Sequence, residues 1–200
     1  MSESLSIKDE LLRKLIHICS SFFAYALFFF NQGAVCLAVG VGTILILSFE
    51  LFRINYPWIN RVFIKIFGKV TRNFEKTKLT GASYVMVASF IVLLPIFEPC
   101  VSIVSILIMS YSDTAAAIIG KKYGKIRIFN KTLEGSFAFF IVAFIIILAI
   151  YPQINLGVSI MAILIATIVE LFPSKIDDNF SVPIIVALIT SIGFWVSYIG

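Results

Sequence analysis

Apolar residues run through this chain in seven long blocks, at 14–30, 34–52, 82–97, 101–120, 133–151, 156–172 and 181–199. Each approaches the roughly 20 residues that a helix needs to cross a bilayer. The blocks are continuous rather than alternating, which excludes a membrane β-barrel. In lipid every backbone group must be satisfied internally, so the pattern predicts an all-α, polytopic membrane bundle of about seven transmembrane helices.

The breaks between the blocks are of two kinds. Asn31-Gln32-Gly33, Glu98-Pro99-Cys100 and Pro152-Gln153-Ile154-Asn155 are tight and free of Lys and Arg. The other three are longer and charged. A seven-span path puts all 16 Lys and Arg residues on one side. Lys8, Arg13 and Lys14 stand at the first span, seven more lie between Arg53 and Lys78, five between Lys121 and Lys131, and Lys175 precedes the last span. The positive-inside rule assigns that side, and with it the N-terminus, to the cytoplasm.

Composition agrees. With 60% hydrophobic and 14% charged residues and a mean hydropathy of +1.03, the chain cannot cover a soluble domain with polar surface. Residues 1–200 are therefore expected to form one transmembrane domain. The net charge of +5 follows from the positive-inside bias together with an anionic partner, lipid headgroups or a nucleotide. No nucleic-acid partner is expected. The basic stretch 53–78 is interleaved with Tyr56, Trp58, Phe63, Phe67 and Phe74, which suits an interfacial amphipathic helix on anionic lipid. Cys19, Cys36 and Cys100 lack metal-ligand spacing and read as packing residues. No cleavable signal peptide is expected, because the first apolar block lacks a small-residue exit.

The acids change the picture more. Glu50, Asp113, Glu134 and Glu170 lie inside apolar blocks or at their cytoplasmic edges, and Asp177 and Asp178 follow in the last cytoplasmic loop. His17, the single histidine, lies one turn into the first span. Ionisable groups at membrane depth are costly and mark function by default. Glu50-Leu51-Phe52 is echoed by Glu170-Leu171-Phe172, which fits either a parallel repeat or coincidence.

Four segments carry candidate chemistry. In Ser110-Tyr111-Ser112-Asp113-Thr114, followed by small residues and Gly120-Lys121-Lys122-Tyr123-Gly124-Lys125, Asp113 lies about 12 Å of helix from Lys121. A carboxylate beside a basic loop suits a metal ion bridging phosphates, with the lysines neutralising the rest. Alternatively, Asp113 pairs with a buried Lys or hydroxyl for packing alone. In Lys131-Thr132-Leu133-Glu134-Gly135-Ser136, Lys131 and Glu134 are spaced to face one cleft, and Thr132 suits an N-cap whose free N–H groups attract phosphate. The run from Glu170 to Asp177-Asp178-Asn179 offers oxygen ligands for magnesium, or else a solvated loop with a helix cap. Finally, Glu10-x-x-Arg13-Lys14-x-x-His17 puts a basic face at the bilayer surface, with His17 a base, a phosphate donor or a hydrogen-bonded interfacial histidine.

These pieces, with Leu79-Thr80-Gly81-Ala82-Ser83-Tyr84 and Val182-Pro183, resemble the CTP-dependent lipid kinases. That group includes dolichol kinase, phytol and farnesol kinases and the yeast-type diacylglycerol kinase. It is distantly similar to the phosphatidate cytidylyltransferases. The resemblance spans almost the whole chain and implies a catalytic domain that moves a phosphoryl group from CTP to a membrane lipid hydroxyl. It implies that Asp113 and Asp178, with Asp177 beside them, hold magnesium. Lys121, Lys122, Lys125 and Lys131 would hold the CTP phosphates, with Arg13, Lys14, Thr132 and Asn179 also at the nucleotide. Glu134 would orient Lys131, and Glu170 or His17 would position or deprotonate the lipid hydroxyl. The cytidylyltransferases' long C-terminal signature is absent, and Asp177-Asp178-Asn179 stands in its place, which favours the kinase. A transporter is disfavoured, because the outer halves of the spans hold no ionisable residue to carry a relay across.

Overall fold

A computed structural model of the chain describes residues 7–150, 155–172 and 176–199. The expected turn at Pro152-Gln153-Ile154 and the basic residue Lys175 lie outside the described residues, as do Pro173 and Ser174. The described residues are mostly helical: α1 (Ile7–Ile18), α2 (Ser21–Ala26), α3 (Gln32–Asn55), α4 (Pro57–Phe67), α5 (Gly81–Val92), α6 (Pro99–Leu107), α7 (Asp113–Tyr123), α8 (Leu133–Ile150), α9 (Leu156–Leu171) and α10 (Asp178–Ile199). Two two-residue strands, β1 (Arg127–Ile128) and β2 (Lys131–Thr132), form a small antiparallel hairpin in front of α8.

Among the described residues, four helices are long and apolar enough to cross a membrane: Gln32–Asn55, Pro99–Tyr123, Leu133–Ile150 and Asp178–Trp195. Gly81–Val92 and Leu156–Leu171 are apolar but shorter. The first expected span is broken between α1 and α2. There the Ser20 hydroxyl donates to the His17 carbonyl at 2.7 Å, and the backbone tightens to i→i+3 bonds from Phe22 and Phe23.

The helix ends follow local chemistry. Asn31 and Asn155 cap α3 and α9, accepting from the N–H groups of Ala34 at 2.8 Å and Val158 at 3.2 Å. Pro57 and Pro99 open α4 and α6, where no N–H is needed. The Gln32 amide donates to the carbonyls of Phe97 at 2.9 Å and Leu93 at 3.1 Å, closing the C-terminal end of α5.

The segment Pro99–Tyr123 is the central element, and every residue from Cys100 to Ile106 is buried. Around it α5, α8, α9 and α10 contribute Val85, Val92, Phe139, Ala143, Ile163, Ala166 and Val186 to one apolar core. The outer surface is also apolar, with Phe29, Leu37, Ile44, Phe137 and Trp195 all more than half exposed. Such a surface is stable in lipid rather than in water.

A buried polar clamp joins α3 to the segment before α5. Arg53 is wholly buried. Its guanidinium pairs with Glu50 at 2.6 Å and donates to Asn60 and to the backbone carbonyls of Glu75, Lys76 and Lys78. It also lies 4.5 Å from the Phe63 ring on α4. Glu50 accepts from the N–H and hydroxyl of Thr80, and Glu75 from the N–H groups of Arg72 and Gly81. Arg53 was expected among the loop cations; burial in this network makes it a structural residue instead.

Candidate active site

The site forms where α1, the start of α7, the end of α9, the start of α10 and the β-hairpin meet. Between α6 and α7 the chain widens into a π-helical turn, Ile108–Ser112. This turn frees the Met109 carbonyl to accept from His17 Nε2 at 3.0 Å. A carbonyl only accepts, so Nε2 carries the proton. That same nitrogen lies 3.3 Å from Asp113 Oδ2. Lys14 Nζ also donates to Asp113 Oδ2. Lys14 is 3% exposed, so its ammonium requires that carboxylate as a partner.

On the opposite side, Lys131 Nζ donates to Glu170 Oε1 at 2.7 Å and to Asp178 Oδ2 at 2.5 Å. The turn preceding it is strained, since Phe129 adopts φ 54°, the left-handed region that bulky residues avoid. Its ring packs on Phe172 at 5.5 Å, which helps to hold that conformation. Burial pulls the Lys131 ammonium toward neutrality, but Asp178, Glu170 and Asp113 outweigh it and raise its pKa above the ordinary lysine value. Glu170 is 3% exposed, and its second oxygen accepts from Ser136 at 3.0 Å. Asp178 opens α10, where the helix N-terminus favours an anion.

Asp113, Glu170 and Asp178 each offer an oxygen within 4.8 Å of the others. Two ammonium groups, Lys14 and Lys131, face these three carboxylates. One negative charge is left over. The other oxygens of Asp113 and Asp178 take no donor from the described residues, so they keep lone pairs for a ligand. A narrow crevice reaches the group, walled by Met109, Phe139 and Val182 and edged by Asn179.

Two expectations are corrected here. Glu134 does not hold Lys131. It lies in the first turn of α8 and reaches back to accept the backbone N–H groups of Lys125, at 2.9 Å, and Ile126. The hairpin turns Lys131 the other way, toward Glu170 and Asp178. Asp177 likewise stands outside the carboxylate group. It caps α10, accepting from the Asn179 backbone N–H at 3.0 Å and from the Asn179 side-chain amide at 2.6 Å. Glu170 takes the place expected of Asp177. Burial, and then the neighbouring Asp178, push the Asp177 carboxyl up to about 6.

The remaining expected residues form the rim. Thr132 caps α8 through the Gly135 N–H at 3.2 Å. Here the glycines have a packing reason: a Cβ on Gly120 would meet Thr132 Oγ1 at 2.6 Å, and one on Gly135 would meet the Ala116 carbonyl at 2.8 Å. Backbone contact between α7 and α8 thus brings the last turn of α7, with Lys121 half-buried and Lys122 exposed, next to the turn held by Glu134, which carries the exposed Lys125. Arg13 pairs with Glu10 at 2.6 Å. A Cβ on Gly81 would approach the Asn179 amide at 3.3 Å and Arg13 at 3.8 Å, so these three share one edge of the site. Sequence reasoning missed the roles of Ser136 and Gly81; only the glycine spacing signalled close approach.

The arrangement is that of a helical membrane protein with a buried carboxylate–lysine centre beneath a basic rim. Comparison with known proteins gives the class a family. The chain is 31% identical over 189 residues to an uncharacterized protein of Rickettsia prowazekii, covering 90% of this chain and 92% of that one. It is 30% identical over 141 residues to a CTP-dependent diacylglycerol kinase of Schizosaccharomyces pombe, covering 68% of this chain and 64% of the kinase. With a probable phytol kinase of Triticum aestivum it shares 27% identity, over 97% of this chain and 71% of that protein. No family model matches, and no solved structure matches. The chain belongs to the family of CTP-dependent diacylglycerol kinases and phytol kinases, which is a family of lipid kinases.

Proposed function

We propose that this chain is a single catalytic domain that transfers the γ-phosphate of CTP to the hydroxyl of a membrane lipid alcohol of the diacylglycerol or phytol type. The observation that carries this reading is the convergence of Asp113, Glu170 and Asp178 within 4.8 Å, one negative charge in excess of their lysines. Relatives named for CTP-dependent and phytol kinase activity support it. The diacylglycerol kinase is longer than the matched region, so its activity is carried to this chain as part of the proposal.

The donor set fits magnesium: three carboxylates with oxygens within 4.8 Å of one another, and further oxygens of Asp113 and Asp178 that take no donor from the described residues. When bound, the ion would neutralise charge on the β- and γ-phosphates. Asp113 and Asp178, with Glu170, would hold it. Lys131 stands at the rim with 32% of its side chain exposed, placed to meet the transferring phosphate. Lys121, Lys122 and Lys125 would receive the rest of the triphosphate, with Thr132, Arg13 and Asn179 along the edge. Lys14 and His17 position Asp113. The bond from the γ-phosphorus to the β-phosphate oxygen breaks, and one to the lipid oxygen forms. Glu170 or a neighbouring carboxylate takes the hydroxyl proton, a small demand for a loose transition state.

The same reading supplies the topology. Seven crossings with the N-terminus in the cytoplasm would put the site at the cytoplasmic membrane surface, where nucleotide and lipid meet. Collection of Lys14, Asp113, Lys131, Glu170 and Asp178 in one layer supports it. A cysteine introduced between residues 57 and 69 should resist membrane-impermeant thiol reagents in intact cells.

Two labelled nucleotides test the chemistry. CTP labelled at the γ-phosphate should give labelled lipid phosphate and CDP. Transfer of label from the α-phosphate, with release of pyrophosphate, would instead make the chain a cytidylyltransferase.

A further inference from the structure

A second set of polar groups leads away from His17 along the seam between α1–α2 and the π-helical turn. Ser20 Oγ meets Ser110 Oγ at 2.6 Å in the interior. Further along, Ser21 Oγ lies 3.3 Å from the Tyr111 hydroxyl, and the Tyr111 hydroxyl lies 3.1 Å from that of Tyr25. Tyr25 is 42% exposed, among Phe22, Phe28, Phe29 and Phe30, which are all more exposed still. Two phenol hydroxyls therefore open onto a surface that is otherwise suited to acyl chains.

The three hydroxyls of Ser21, Tyr111 and Tyr25 carry three protons but make two contacts with one another, and the described residues give them no other partner. One O–H is left to donate. In hydrocarbon an unspent donor is costly, so the position invites an acceptor from the lipid itself. The spacing suits one. Ser20, between His17 and Ser21, donates to the His17 carbonyl, and Tyr111 lies in the π-helical turn that leads into Asp113. A lipid whose hydroxyl reaches the carboxylate group along this seam would have its next few atoms beside the tyrosines. In a glycerol diester those atoms include ester carbonyls; in an isoprenoid alcohol they are hydrocarbon.

We propose that Tyr25 and Tyr111 are specificity-determining residues that donate a hydrogen bond to an ester carbonyl, selecting a diacylglycerol over an isoprenoid alcohol. The proposal rests on the reading of the chain as a lipid-alcohol kinase and names its substrate class.

The probes are a 1,2-diacylglycerol and the matching 1,2-dialkylglycerol, which shares the hydroxyl and tails but lacks carbonyls. Binding is read from thermal stabilisation of the purified full chain in detergent, without nucleotide. The wild type should bind the diester about 5- to 10-fold more tightly, the worth of one net hydrogen bond. Tyr25→Phe with Tyr111→Phe should bring the diester to the affinity of the diether and leave the diether unchanged. Tyr25→Phe alone, altering the exposed end, should lose most of the preference without disturbing the interior. Equal binding of both lipids by wild type, or a preference that survives in the double variant, would overturn the proposal. Should the ester preference hold while no phosphate moves from CTP, the kinase reading fails and the tyrosine seam stands.

Discussion

Two buried ion-pair networks in this protein are built from the same kinds of side chain and do different things. Around Arg53, each carboxylate oxygen of Glu50 and Glu75 takes an N–H or hydroxyl donor, and both Nη atoms of the guanidinium donate to Glu50, Asn60 and loop carbonyls, with Nε alone lacking a partner among the described residues. Around Asp113, three carboxylates meet two lysines, and oxygens of Asp113 and Asp178 are left toward the crevice. Carboxylates whose oxygens are all taken fix a fold; carboxylates with surplus lone pairs beside a crevice hold a ligand. The contrast lies in the completion of the carboxylates' hydrogen bonds and in access, since Glu50, Arg53 and Glu75 are buried whereas Lys131 and Asp178 keep 32% and 27% of their side chains exposed.

Substitutions can break this contrast. The largest effect is expected at the clamp: Arg53→Met leaves Glu50 buried without its partner, at a cost of about 3–5 kcal/mol. Thermal unfolding in detergent should show that loss, while turnover per folded molecule changes little. If turnover collapses in a protein of unchanged stability, the clamp belongs to the site. Next is Asp113→Asn, expected to lower phosphoryl transfer by ~10²–10³-fold, the scale of losing one electrostatic stabiliser. Full activity in that variant would remove Asp113 from the chemistry.

Glu134→Gln weakens the hold on the turn carrying Lys125. It should raise the nucleotide KM about tenfold, the scale of one charge-assisted hydrogen bond, with a smaller change in kcat. The smallest effect is at Asp177. Its carboxyl is held at about 6, above the ordinary 3.8. The folded state therefore binds its proton more tightly than the unfolded chain. Its contribution to stability is greatest at low pH and falls as pH rises through that interval. In metal-free buffer, Asp177→Asn should remove this slope, so the stability difference between variant and wild type grows in the variant's favour up to about pH 6. A difference that stays flat would place Asp177 in solvent.

Much of this was legible in the sequence, for stated physical reasons. Apolar block length located the helices, the cost of charge in lipid marked Asp113 and Glu170 together with Glu50 and Glu134, and the paired loop carboxylates marked Asp178. Lys131 was also marked, but its partner was not. Spacing on a helix put it beside Glu134, whereas the two-residue hairpin turned it across the bundle. Adjacent residues Asp177 and Asp178 looked like one ligand pair, yet at a helix start successive side chains diverge, so one caps and the other enters the site. Arg53 read as one cation among seven in a loop, because its carbonyl partners lie on backbone that carries no side-chain signal. At the break between α1 and α2, Ser20 meets Ser110, a contact between distant segments.

The central claim is that the unsaturated carboxylate group, and not the saturated one, takes a divalent ion. Manganese, as a stand-in for magnesium, can be titrated into the purified chain and followed by its electron paramagnetic resonance signal. The account predicts one specifically bound ion in wild type and in Glu75→Gln, and its loss in Asp178→Asn. Equal binding in wild type and Asp178→Asn, or loss on Glu75→Gln in a folded protein, would contradict it.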